Sequence, residues 1–123
     1  MSISTRVTKL LNIKHPLILP GMSWISTPAL VAAVSNAGGL GILATGPLSG
    51  QQTRDSIREI RRLTNKPFGI GATLLMPGAD ENARVALDEQ VPVINFSLGK
   101  GDFIVQEAHK YGGLSIYLNE KND

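Results

Sequence analysis

An α/β fold built on a parallel sheet follows from three features of this 123-residue chain. Short apolar runs begin near residues 17, 40, 67, 92 and 114, a period of about 25 residues, which is the length of a βα unit. Between them lie stretches with apolar residues three and four apart, the spacing of a helix that buries one side. The runs are themselves continuous rather than alternating, as in strands covered on both faces. Two architectures satisfy the pattern: a closed (β/α)8 barrel, which needs about 250 residues, and an open doubly wound sheet, which is complete at five strands.

Residues 5–11 carry Val7, Leu10 and Leu11 at helical spacing and form a lead-in helix that His15-Pro16 ends. The first strand, 17–19, stops at Pro20-Gly21. Ser26-Thr27-Pro28 then starts a helix, with a hydroxyl to cap free amides and a proline where its missing N–H is harmless. Leu30, Val34 and Ala37 are its predicted buried stripe, and Gly38-Gly39 ends it. The second strand is 40–44. Ser49 and Gln52 make a capping box for a helix running to about Thr64, with Ile57, Ile60 and Leu63 inward. Its other side holds Arg54, Arg58, Arg61 and Arg62 among acidic residues, a solvated face with local ion pairs rather than an anion site.

Pro67 opens the third strand, 68–75, since a first strand residue need not donate to the ladder. Asp80 is the predicted cap of the next helix, with Ala83, Ala86 and Leu87 inward. The fourth strand is 92–96. A glycine-rich loop, Gly99-Lys100-Gly101, leads to Asp102 as the cap of the last helix, whose stripe is Ile104, Ala108 and Tyr111. Gly112-Gly113 ends it. Residues 114–118 are the fifth strand, before a polar tail, 119–123.

Composition narrows the function. Lys plus Arg exceed Asp plus Glu only 12 to 10, and the basic residues sit chiefly on one helix, so no nucleic-acid footprint is present. Cysteine is absent, which removes disulfides, thiolate metal sites and cysteine nucleophiles, and no run approaches a membrane span. A soluble, cytoplasmic protein is expected. In either architecture the working edge is the set of loops after the strands: 20–27, 45–49, 71–80 and 97–102. None holds a histidine or paired carboxylates, and no spacing suits a metal. His15 lies at the opposite end of the sheet and His109 in mid-helix. Gly38, Gly39 and Gly41 follow a helix and precede a strand, so they are no dinucleotide loop. What the edge offers is backbone approach at Gly21, a polarizable surface at Met22 and hydroxyls at Ser23 and Thr73, which on their own fit a plain loop and also suit a planar aromatic cofactor that brings its own chemistry.

Four segments in order, HPLILPGMSWIS, TPALVAAVSNAGGLGIL, LTNKPFGIGATLL and VPVINFSLG, resemble the N-terminal half of the nitronate monooxygenase family. The resemblance runs from Thr5 to Gly113. It implies an FMN-dependent (β/α)8 barrel, here truncated to about its first four or five βα units, a single partial domain over 1–123. The implied reaction oxidises alkyl nitronates with O2 to a carbonyl compound and nitrite. Gly21, Met22 and Ser23 match the family's flavin-side turn after the first strand, and Thr73 a flavin-contacting position after the third. Where many members read PFGVN, this chain has Gly71, which removes a side-chain amide near the cofactor. The family's catalytic histidine and its phosphate-holding glycine loops belong to the half not matched. An enoyl reductase-type flavin barrel shares similar N-terminal motifs and is the nearest competitor. A complete flavodoxin-like binding module is the other alternative, distinguished by strand order. A half barrel with open edges is expected to self-associate.

Overall fold

A computed structural model describes residues 3–118; the predicted polar tail 119–123 lies outside the described residues. In chain order the elements are α1 (Arg6–Leu11), β1 (Ile18–Leu19), α2 (Pro28–Asn36), β2 (Leu40–Ala44), α3 (Gly50–Leu63), β3 (Phe68–Thr73), α4 (Ala79–Asp88), β4 (Val93–Ser97), α5 (Asp102–Lys110) and β5 (Leu114–Leu118).

The five strands stand in the order β1-β2-β3-β4-β5 and every pair is parallel. That order decides between the two architectures. A doubly wound sheet would set the second strand outside the first and place helices on both faces. Here α2 packs on α3, α3 on α4 and α4 on α5, in one continuous layer over one face. The sheet is an arc of a (β/α)8 barrel, with helices outside and strands curling around an inner face.

Two apolar clusters follow from this geometry. The larger lies between sheet and helices and contains Val31, Leu43, Ile57, Ile60, Phe68, Ile70, Ala86, Ile94 and Ile104. The smaller lies on the inner face, where Leu40, Ile42 and Val93 meet Leu11 of α1. The lead-in helix thus plugs the end of the arc where the strands begin, and Val7 and Leu10, its other predicted apolar positions, stay exposed.

Close packing of α2 on the sheet depends on Gly41: a Cβ there would lie 2.4 Å from the Val31 carbonyl oxygen. At Gly38 the backbone takes φ +103°, a left-handed turn that stops α2.

Several local expectations are corrected. Helix α2 buries Val31, Ala32 and Ser35, not Leu30, Val34 and Ala37. The N-cap of α2, Thr27, makes no side-chain cap bond. Asp80 and Asp102 sit inside their helices, whose caps are Gly78 and Gly101; two carboxylates in first turns still favour the positive helix ends. Leu63 is exposed. The third strand ends at Thr73, not 75, because residues 74–76 turn away. The capping box of Ser49 and Gln52 is present with both bonds.

The arginine face of α3 turns toward its neighbour. Arg54, Arg58 and Arg61 all reach Glu89, at 2.7, 3.2 and 3.3 Å. Arg61 also donates to the Glu89 and Gln90 carbonyls. These cations meet the free carbonyls and negative pole at the end of α4, so their role is to fasten two crossover helices together. Arg62 instead pairs with Glu59 on its own helix.

Candidate functional site

At the end of the arc where the strands finish, a cleft of about 160 Å³ is lined by residues of all five strands or the loops that follow them. Pro20, Gly21 and Ser23 come from the turn after β1. Ala44, Thr45 and Gly46 close β2, while Gly71, Ala72 and Thr73 close β3. Asn95, Phe96 and Ser97 close β4, and Leu118 ends β5. Larger hollows of about 430 and 500 Å³ exist, one at the start of the strands near Lys14 and Lys66, the other between α4 and α5. Neither gathers residues from successive strand ends. The smaller cleft is the candidate, because strand C-terminal ends of such folds carry the chemistry.

The turn after β1 is wound by one residue. Ser26, 2% exposed, donates its hydroxyl to the Pro20 carbonyl at 2.6 Å and accepts from the Met22 amide at 3.0 Å. Its own carbonyl accepts from the Ala44 amide of β2. The hydroxyl that looks like a helix cap is therefore spent on holding the turn shut. Trp24, with φ +65°, completes it in a left-handed conformation and points largely into solvent.

A second buried network fixes the wall after β2. Thr53 of α3 donates to Asn82 Oδ1 of α4, and Asn82 Nδ2 donates to the carbonyls of Thr45 and Leu48. Thr45 Oγ1 in turn donates to the Gly71 carbonyl at 2.6 Å. Both neighbouring helices thus hold the loop that carries Gly46.

Of the four residues singled out in the sequence, Gly21, Ser23 and Thr73 line the cleft together. Met22 shares their turn but is exposed and is not part of the lining. His15 packs beside Gly38 at the far end, and His109 lies on the outside of α5. The residue that sequence reasoning passed over is Asn95. Its Oδ1 is buried and has no hydrogen-bond partner, and its register neighbours are Gly71 on β3 and Ile116 on β5. The only signal was a lone carboxamide inside an otherwise apolar run.

Among the described residues, the lining holds no charge, no histidine and no metal cluster. Three glycines leave it open. A Cβ at Gly71 would meet nothing closer than 3.4 Å, and at Gly46 the only nearby atom is Ser23 Oγ, at 3.4 Å. Flat backbone walls, a few hydroxyls and one orphaned amide oxygen fit a neutral planar ring with polar edges. They do not fit a phosphate, which would need clustered amides or cations.

The family profile of nitronate monooxygenase matches residues 4–104. The chain belongs to that family. A nitronate monooxygenase from Pseudomonas aeruginosa is 46% identical over 82 residues, covering 67% of this chain and 23% of that protein. A (3aS,4S,5R,7aS)-5-hydroxy-7a-methyl-1-oxo-octahydro-1H-indene-4-carboxyl-CoA dehydrogenase from Rhodococcus jostii is 35% identical over 115 residues, covering 94% of this chain and 33% of that protein. The solved structure of FabK from Thermotoga maritima superposes with a TM-score of 0.89 at 42% identity, over 94% of this chain and 37% of that one. The chain thus spans about a third of the length of the relatives it matches. No helix among the described residues is long and apolar enough to cross a membrane.

Proposed function

We propose that this chain supplies the ring-binding shelf of an FMN-dependent oxidoreductase of the nitronate monooxygenase type. The single observation that carries the reading is the cleft itself: uncharged, glycine-walled and assembled from five successive strand ends. Gly21 and Gly46 let backbone approach a flat face, while Ser23, Thr73 and Ser97 offer hydroxyls to its rim. Bound FMN would supply electron transfer from an alkyl nitronate to O2, giving a carbonyl compound and nitrite. The chain's own part is orientation: Ser26 and Asn82 fix two walls of the shelf, and Ile42 and its inner-face neighbours keep water from beneath it. The described residues offer no histidine at the cleft to act as base, and a barrel's phosphate site is built after its seventh and eighth strands.

The dehydrogenase relative favours a second reading, a flavin barrel acting on another substrate, such as an enoyl reductase. The shelf is common to both readings, and the substrate pocket is what would separate them. In the same proposal the chain is one partial domain that associates through its open sheet edges.

Titrating the purified chain with FMN and following visible absorbance tests the shelf, and nitrite release from an alkyl nitronate in air tests the reaction. A bound, perturbed flavin spectrum is the expected result. Absence of any flavin uptake would remove this reading.

A further inference from the structure

We propose that Asn95 recognises the imide edge of the flavin ring, where an N–H lies between two carbonyls; the assignment rests on the flavin reading above. Asn95 Oδ1 is buried without a hydrogen-bond partner, a state that native structures avoid unless something else satisfies the atom. The residue lies on β4 and lines the cleft. Along the strand it follows Val93 by two positions, so it shares the inner face with that residue. Beside it in register, Gly71 carries no side chain that could cover or engage the amide. On the other side Ile116 offers only carbon.

The chemistry of the lining then selects the ligand edge. The other polar side chains there are the hydroxyls of Ser23, Thr45, Thr73 and Ser97, and that of Thr45 is already given to the Gly71 carbonyl. A hydroxyl rotates to suit either donor or acceptor and discriminates little. A carboxamide holds one acceptor and two donors in a fixed plane. Its complement is a ligand edge with N–H beside C=O, which the pyrimidine portion of isoalloxazine presents. The terminal torsion of asparagine is soft, so Oδ1 can turn from its buried position to meet an arriving N–H. A neutral amide does this without imposing charge on the ring.

The test uses lumiflavin, which has the ring but no ribityl phosphate, and N3-methyl-lumiflavin, which lacks the imide proton. Binding of each to the full chain and to Asn95→Leu is read by fluorescence. Lumiflavin is expected to bind Asn95→Leu about tenfold more weakly than the unaltered chain, the effect of one good hydrogen bond. N3-methyl-lumiflavin is expected to bind both equally. Equal lumiflavin affinity in the two proteins overturns the assignment. Should Asn95→Leu fail to fold, the unaltered chain still decides: equal affinity for the two ligands overturns the proposal, and a tenfold preference for lumiflavin supports it. If the unaltered chain binds neither ring, the flavin reading falls and the assignment with it. That result is distinct from a ring that binds with its edge unread.

Discussion

Ser26 shows how one side chain can set the form of a site it does not enter. Its hydroxyl joins Pro20 to Met22 while its carbonyl ties the turn to β2. Ser26→Ala removes the two part-buried hydrogen bonds that close the turn, so it should destabilise by about 1 kcal/mol in urea unfolding and weaken flavin uptake in parallel. Glycines give a sharper contrast. Gly41→Ala drives a Cβ to 2.4 Å from the Val31 oxygen, where only backbone can yield, and is expected to cost at least about 2–3 kcal/mol. Gly71→Ala meets nothing closer than 3.4 Å, so its melting temperature should stay within a few degrees of the unaltered chain. Position 71 is where the sequence departs from the family pattern, and the structure shows space there rather than strain. Gly21, Ser23 and Thr73 could be picked out as cleft-lining residues because they stand at or just after strand ends. Asn95 was hidden because in VPVINFSLG it sits inside a strand, and which of two faces it serves depends on register with β3 and β5.

Helix existence and order were readable at the element scale, whereas fine phase and caps were not. The stripe of α2 is rotated from its expected phase because Gly41 lets the sheet come against Val31, bringing Ala32 and Ser35 inward. Asp80 and Asp102 imitate caps, but Gly78 in a left-handed conformation and Gly101 begin their helices. The arginines of α3 were legible as ion-pairing and illegible as to partner, since Glu89 is close only once α4 packs alongside. Glu89→Gln should lower the melting temperature, with the loss shrinking in high salt as screening weakens the pairs. Tyr111 adds a pH test. Its hydroxyl donates to the Val91 carbonyl, and burial pushes its pKa above the usual 10.0, partly offset by nearby Arg61. A raised folded-state value means the contribution is complete below pH 10 and is lost as pH rises through the shifted value. Unfolding at increasing alkalinity should therefore steepen above about pH 10 in the unaltered chain and less so in Tyr111→Phe.

For the whole molecule, strand order converts a list of βα units into an arc with an inside, an outside and a working end. The period of the apolar runs made the units legible but left barrel and open sheet equally allowed, because strand order arises from how crossovers pack, which local sequence does not encode. An arc has two edges: β1 is only Ile18–Leu19 and leaves Leu17 and Ile18 exposed, while β5 leaves Tyr117 and Leu118 exposed. Unpaired parallel edges of this kind invite pairing, and light scattering across a concentration series should show mass rising with concentration. A constant monomer mass would argue against it. Central to the whole molecule is the cleft at the strand ends, proposed as the seat of the flat ring. Hydrogen exchange with and without saturating FMN tests it directly: protection is expected at residues 20–26, 45–48, 71–74 and 95–97. Protection confined to residues 12–14, 36–39 and 66–67, at the opposite end of the strands, or no protection anywhere, would contradict it.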